Sequence, residues 1–257
     1  MAGASPPAPD FGEIAASYDR LRPVDENWWE LFDVLVREGD LLGRRALDIG
    51  CGTGTFALAL AERGGKVWGV DASPEMIARA RSKGARSRFK EGRAESLPFK
   101  DAWFERAVLR LSLHHLDRPR ALAEVRRVLV PGGRVVIATF DPDHFQEIWL
   151  NELFPSIAAI DRARFPDAAR VASELEAAGF GPAEIVRVGQ SGTLSRAQAL
   201  DRIRGRYIST LRMLDDDEFE SGLAEAEATL PDELEPRIEW LVVSAETPAV
   251  DAVRGRR

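Results

Sequence analysis

The sequence predicts an α/β fold: a doubly wound, mostly parallel seven-stranded sheet with helical insertions. Three observations carry that prediction. Between residues 45 and 140, short apolar or β-branched runs alternate with helix-length stretches, the rhythm of successive βαβ units. The first run ends in a glycine-rich turn, Gly50-Cys51-Gly52-Thr53-Gly54, and the second in an acid, Asp71. Two further strand-like runs, 183–188 and 237–245, come after the rhythm changes and complete the seven.

Before the first strand, Trp28, Leu31, Phe32, Leu35 and Val36 form a helical stripe over 27–38, broken by Gly39 and Gly43. Strand 1 is expected at Arg45–Ile49 and a helix over Phe56–Glu62. Strand 2 is Lys66–Asp71, rich in β-branched and aromatic residues. Ser73-Pro74 opens the next helix, because proline suits the first turn. Strands 3 and 4 are expected at Ser87–Glu91 and Phe104–Leu111. A helix over Arg118–Val130 is stopped by Pro131-Gly132-Gly133, and strand 5 follows at Arg134–Phe140.

Residues 143–165 then read as helical, and Ala168–Ala178 as a helix closed by Gly179. The last two strands read as a hairpin-like pair at the sheet edge, with helices over Ser195–Leu214 and Asp216–Leu230 between them. An insertion of that length is often functional and is expected to be a lid or a dimer surface. The expected organisation is one domain: a flexible leader (1–10), a core with an N-terminal cover helix (11–140), a helical lid (141–182), the last two strands with their insertion at about 195–230 (183–247), and a tail (248–257).

The bulk numbers bound the function. A chain of 257 residues with 45% hydrophobic and 30% charged residues has ample core for a globular protein. A net charge of −7 repels phosphate backbones and argues against general nucleic-acid binding. The single cysteine, Cys51, excludes an intrachain disulfide and leaves no metal cluster, so a reducing cytoplasm is expected. No apolar run is long enough to span a membrane. The arginines at 254, 256 and 257 read as a solvated tail.

The glycine loop discriminates between ligands. Glycines let a backbone approach a ligand where a Cβ would clash, at the strand ends where doubly wound sheets bind. A dinucleotide fingerprint wants G-x-G-x-x-G, whereas Gly50, Gly52 and Gly54 are spaced G-x-G-x-G. A phosphate loop needs a lysine, and this loop has none. Asp71, about 20 residues on at the end of the neighbouring strand, suits both hydroxyls of a ribose. Its alternative role is a helix cap ahead of Ser73-Pro74-Glu75.

Five segments in this order, Asp48–Gly54, Val70–Met76, Ala94–Phe99, His114-His115-Leu116 and Leu129–Gly133, resemble class I methyltransferases that use S-adenosylmethionine (SAM). The similarity is greatest to the broad group holding the ubiquinone and menaquinone biosynthesis enzymes, and it covers about residues 11–140. It implies a Rossmann-like methyltransferase fold and SAM as cofactor, with S-adenosylhomocysteine (SAH) as product. It implies that Gly50, Cys51 and Gly52 approach the methionine part and that Asp48 lies beneath it, orienting its amino group. Asp71 would bind the ribose, Ala72 and Met76 would line the adenine pocket, and Ala94 and Glu95 would border its edge. Leu111 would back the methionine and the methyl group. Arg93 stands where the family often has an aspartate, which leaves adenine to the Ala94 backbone and Glu95; Phe104-Glu105 replaces the usual Phe-Asp. The leading segment Phe11–Asp19 resembles the family's cover helix, so Tyr18, with Phe11 and Ile14 on its face, and Arg22 become candidates to close the site.

The resemblance does not name an acceptor. In-line methyl transfer needs positioning first and a base only where the acceptor must lose a proton. No base is assigned: His115 is a candidate, with helix entry as its competing role, and His114 and His144 are the other histidines. Cys51 reads as a small packed residue, because no activating base neighbours it in sequence. The acceptor pocket is expected from Tyr18, Arg22, His115, the 141–165 segment and the late insertion, with Phe145, Trp149, Phe154, Tyr207 and Met213 as apolar lining or ordinary lid core. Arg202, Arg204, Arg206 and Arg212 suit either an acidic substrate or a solvated face. The expected function is methyl transfer to a small molecule by a monomer or homodimer. The rivals are an NAD-dependent oxidoreductase, a methyltransferase of protein or nucleic acid, and a non-catalytic SAM-binding module. An Asn/Asp-Pro-Pro-aromatic motif for base amines is absent after strand 4, where the sequence is Leu109-Arg110-Leu111-Ser112.

Overall fold

The computed structural model describes residues 12, 14–84 and 88–249. The leader, Phe11, Ser87 and the arginine-rich tail lie outside them. In chain order the elements are α1 (Tyr18–Leu21), α2 (Glu26–Gly39), β1 (Arg45–Ile49), α3 (Thr55–Glu62), β2 (Lys66–Asp71), α4 (Pro74–Lys83) and β3 (Arg88–Glu91). Then come β4 (Phe104–Arg110), α5 (Arg118–Val128), β5 (Leu129–Phe140), α6 (Ile157–Arg164), α7 (Ala168–Ala177) and β6 (Glu184–Ser191). Last are β7 (Leu194–Ser195), α8 (Arg196–Arg204), α9 (Asp216–Thr229), β8 (Glu233–Leu234) and β9 (Arg237–Glu246).

The sheet has seven strands in the order β3-β2-β1-β4-β5-β9-β6. Neighbours are parallel through β5, and β9 runs antiparallel to both β5 and β6. The order turns outward in both directions from β1 and β4, which opens the ligand crevice of this fold class above their C-terminal ends. β6 and β9 do pair with each other, but only β6 is an edge. Residues 240–245 of β9 are buried on both faces, so β9 needs a neighbour on each side and inserts between β5 and β6.

Side chains alternate between two cores. Leu47, Ile49, Leu109, Ile137 and Val243 face α5 and α7, while Ala46, Val108, Val136, Ala138 and Val242 face α2 and α3. Helix α2 starts where Asp25 Oδ1 accepts from Trp28 N at 2.8 Å. Helix α4 starts on Ser73, whose Oγ accepts from Met76 N at 3.2 Å.

Several boundaries differ from the sequence reading. The Pro131-Gly132-Gly133 stop lies inside β5, which starts at Leu129 with a register shift opposite Phe104 and Arg106. Thr247 Oγ1 satisfies this irregular stretch by accepting from Gly133 N at 2.9 Å and donating to Val130 O at 2.8 Å. The expected cover helix is a run of turns over 14–17 followed by the single turn α1. The segment 143–165 splits into 3-10 turns at Pro142–Glu147 and Trp149–Glu152 and then α6. The expected helix Ser195–Leu214 stops at Arg204: a side chain at Gly205 would collide with Leu21, and Arg206 adopts φ 43°.

The lid has its own core. Leu150, Phe154 and Ile157 cluster with Ile203, Leu211 and Phe219, which joins residues before and after β6. Helix α7 lies outside this lid, because Val171 and Leu175 bury themselves on the sheet.

Candidate active site

A cavity of about 390 Å³ lies over the ends of β1, β2, β4 and β5, between the N-terminal segment and the lid. Its volume is in the range of small-ligand pockets. Tyr18, Gly50, Gly52, Asp71, Ala72, Met76, Ala94, Glu95 and Leu111 line it, as do Arg22, His115, Phe145 and Trp149. Asp48 and Cys51 are not on its wall. Phe154 turns into the lid core to stack on Phe219 at 6.0 Å, while Tyr207 and Arg202 reach the cavity. Met213 is not on its wall. Arg204 pairs with Glu227 at 2.7 Å, and Arg206 covers the Phe219 ring at 3.6 Å.

The glycine loop is shaped by close approach. Gly50 has φ 74°, and a Cβ there would lie 2.5 Å from the Cβ of Ser112. Ser112 holds that position by donating from Oγ to Ile49 O at 3.0 Å. Gly52, at φ 53°, faces open cavity, with nothing within 4 Å of where a Cβ would stand. Leu111 also sits in the left-handed region, at φ 52°. A branched residue held there stores backbone strain, and the turn it makes brings Ser112 under Gly50.

Asp71 ties this loop to the start of α4. Its Oδ2 accepts from Gly52 N at 2.8 Å and its Oδ1 from Ser73 N at 2.9 Å. The cap of α4 is Ser73, so Asp71 braces the cap residue while facing the cavity, and each of its oxygens keeps lone-pair capacity for a hydroxyl. Burial pushes its carboxyl up, against the pull of the N–H groups of Ser73, Gly52 and Ala72. Glu95 accepts from Asp117 N at 3.1 Å and lies 3.4 Å from Arg93.

Beneath the loop, Asp48 is 2% exposed. Burial pushes its carboxyl up to about 7; Arg110 pulls it down, the charge of Asp71 raises it, and the Ala57 N–H lowers it. Its Oδ2 has no hydrogen-bond partner. Cys51 is buried, and burial raises its thiol well above the ordinary range, so it stays a protonated, packed side chain.

The cover is latched to the loop. Asp19 accepts from Thr53 Oγ1 at 2.5 Å and lies 2.7 Å from Lys83 Nζ and 3.3 Å from Arg79 Nε. Burial raises the Asp19 carboxyl, but the bonds from Lys83 and Thr53 outweigh it and hold it below the ordinary value. Tyr18 packs with Ile14 and Ala15 on Met76. Arg22 donates to the Tyr18 hydroxyl at 2.5 Å and from Nε to Tyr207 O at 3.0 Å, joining cover to lid.

On the lid side, Arg164 Nη2 lies 3.2 Å from His115 Nδ1 and donates to Ser209 Oγ at 2.9 Å. Its Nη1 donates to Thr210 Oγ1 at 3.2 Å, and Thr210 donates to Asp161 Oδ1 at 2.5 Å. Burial, then the charges of Arg164 and Arg22, push His115 down to about 3. A guanidinium only donates, so Nδ1 accepts and the ring proton sits on Nε2. His115 is a neutral donor in this arrangement. His114 stacks on Phe165 at 3.9 Å, with its Nδ1 buried and unpartnered. His144 Nε2 lies 2.9 Å from Arg237 O.

Comparison with known proteins agrees with this geometry. A family described as a methyltransferase domain matches residues 47–137. A demethylmenaquinone methyltransferase of Deinococcus radiodurans is 34% identical over 203 residues, covering 66% of this chain and 83% of that protein. The chain belongs to the class I SAM-dependent methyltransferases. A second demethylmenaquinone methyltransferase, from Thermus thermophilus, is 38% identical over 51% of this chain and 64% of its own length. The chain spans 54% and 52% of two malonyl-[acyl-carrier protein] O-methyltransferases, from Pectobacterium atrosepticum and Erwinia pyrifoliae. A solved structure of Haemonchus contortus phosphoethanolamine N-methyltransferase 2, holding SAH, matches with TM-score 0.60 at 21% identity over 92% of this chain and 57% of that one. At that identity the likeness speaks for the fold.

The residues fit the family's cofactor. A buried carboxylate with an orphan oxygen, Asp48, and a half-buried one, Asp71, flank a glycine cradle with open space above Gly52, which suits a ligand carrying cationic groups and a diol. Arg110, Ser112, Arg164 and Trp240 are site residues that the sequence reading passed over. Arg110 alone left a signal: a lone charge near the end of the apolar run Ala107–Leu111.

Proposed function

We propose that this methyltransferase moves the methyl group of SAM to a small-molecule acceptor by in-line displacement. The pairing of Asp48 with Asp71 around the glycine cradle carries the reading. Under it Asp71 binds the ribose hydroxyls, Asp48, beneath the loop and behind the cavity wall, orients the methionine ammonium directly or through water, and Met76, Ala72, Ala94 and Glu95 surround the adenine. Tyr18 and Leu111 bound the reacting end. Bound there, SAM supplies a methyl group already activated on a sulfonium. The protein's share is to orient the acceptor and exclude water, through the cover latch at Asp19 and the lid contact of Arg22. No base is assigned, because His115 is held as a donor.

A cavity of small-ligand size set between cover and lid supports a small acceptor over a protein or nucleic acid, and the net charge of −7 supports the same choice. A monomer or homodimer in the cytoplasm, without nucleic-acid partners, completes the proposal. Among the described residues no helix is long and apolar enough to cross a membrane.

The test is calorimetry with SAM, followed by an acceptor panel read by SAH release. Asp71→Ala should weaken SAM by about one to three kcal/mol, the scale of hydrogen bonds to a charged group. Unchanged affinity in that variant would sink the cofactor assignment. Tight SAM binding with no SAH formed from any acceptor would favour a non-catalytic module.

A further inference from the structure

Arg110 ends β4 on the same face of the sheet as Asp48. Asp48 is level with Val108 on the neighbouring strand, so Arg110 stands one strand over and two residues nearer the cavity that it lines. Among the described residues its guanidinium has no ion pair and no hydrogen bond. Its neighbours are the indole faces of Trp28 and Trp240, each 5.8 Å away. A charge held half-buried without a direct partner is costly, and a planar five-donor fork is shaped for a carboxylate. The other charged groups nearby are already engaged. Asp141 pairs with Arg187 at 2.8 Å, Asp161 accepts from Thr210, and Asp25 caps α2. Arg22 is committed to Tyr18 and Tyr207. Arg110 is thus a cation in the wall of the cavity with no direct partner, within reach of the charge of Asp48, whose Oδ2 also lacks a hydrogen bond.

We propose that Arg110 anchors a carboxylate bound in this cavity, with the indoles of Trp28 and Trp240 fixing the guanidinium plane. The proposal rests on the methyltransferase reading. Two sources carry that chemistry: the α-carboxylate of the cofactor, whose ammonium would meet Asp48, and an acid group on the acceptor. An ammonium and a carboxylate on one carbon match two orphan groups of opposite charge on adjacent strands.

The test titrates wild type, Arg110→Met and Arg110→Lys with SAH and with 5′-methylthioadenosine, which lacks the amino-acid moiety. SAH-loaded protein is then titrated with malonate and with benzoate. If the cofactor is the source, Arg110→Met weakens SAH about ten- to a hundredfold, the range for a lost charge-assisted contact. Methylthioadenosine then binds both proteins within about twofold, and Arg110→Lys recovers part of the loss. If the acceptor is the source, SAH binding is unchanged and a carboxylate binds SAH-loaded wild type but not SAH-loaded Arg110→Met. Removing a half-buried charge that has no direct partner should not unfold the protein; melting curves check this, with Arg110→Gln as the second variant. Wild-type-like binding of every probe by a folded Arg110→Met overturns the proposal. Failure of wild type to bind either nucleoside overturns the methyltransferase reading beneath it, a separate and visible result.

Discussion

Arg164 holds His115 by Nδ1 at 3.2 Å, and that contact decides what the imidazole can do. The guanidinium blocks the lone pair that a general base would use and repels a proton on the ring. His115, pushed down to about 3, stays neutral throughout the physiological range. Imidazole resonances should show one neutral Nε2–H ring between pH 5 and 8 in wild type. In Arg164→Met the same ring should titrate closer to the ordinary value of about 6.5. A wild-type His115 that titrates near 6 would break this account. The unfolded imidazole takes up a proton below about 6.5 and the folded one only near 3, so this group costs stability as pH falls through that window.

Asp48 is expected to make cofactor binding a proton-coupled event. Its carboxyl, raised by burial to about 7, is mostly protonated at pH 6. An ammonium placed beside the orphan Oδ2 favours the ionised form and expels that proton. Titrations of SAH at pH 6 in buffers of different ionisation enthalpy should report close to one proton released, falling towards none at pH 8.5, with affinity rising between them. Asp48→Asn should abolish the release. It should also stabilise the unliganded protein above pH 7, where wild type keeps a buried charge that the unfolded chain ionises freely from about pH 4. No proton release from wild type at pH 6 would separate Asp48 from the cofactor.

The fold and the glycine-loop wall of the cavity were legible because they are written in short-range patterns. The G-x-G-x-G turn demands positive φ at Gly50 and Gly52, and Asp71 ends the neighbouring strand, so sequence spacing translates into spatial spacing. The lid side of the cavity was less legible because long-range packing builds it. Nothing near Arg164 in sequence announces that it meets His115, 49 residues away. Phe154 and Tyr207 look alike as lid aromatics, yet one enters the lid core and the other lines the cavity. The pair β6 and β9 was visible, but the insertion of β9 between β5 and β6 depends on its burial on both faces.

Asp19 is expected to set how tightly the cover closes. It joins α1 to Thr53 in the glycine loop and to Lys83 and Arg79 on α4. Asp19→Ala should weaken SAH by about tenfold, one to two kcal/mol for a partly buried charged contact. Amide exchange should rise over residues 14–22 and remain unchanged in β1 and β4. The Asp19 carboxyl is held below its unfolded value, so the latch is intact above about pH 4 and is lost as pH falls through the lower folded value. Equal exchange over 14–22 in both proteins would show that Met76 packing alone holds the cover.

The lid should behave as a separable unit. Its core, with Phe154 at the centre, is distinct from the two clusters that flank the sheet. Phe154 is fully buried and stacks on Phe219, and Gly222 leaves no room for a side chain beside it. Phe154→Ala opens a cavity that costs about 3–5 kcal/mol in a well-packed core. Because the clusters are separate, that loss should fall on local opening of the lid. Amide exchange in Phe154→Ala should accelerate over 148–160 and 194–234 while β1, β4 and β5 keep their protection. SAH should still bind, because the glycine cradle and Asp71 are untouched. Uniform acceleration across sheet and lid would mean that the two fold as one cooperative body, and the lid could not then open independently to admit an acceptor.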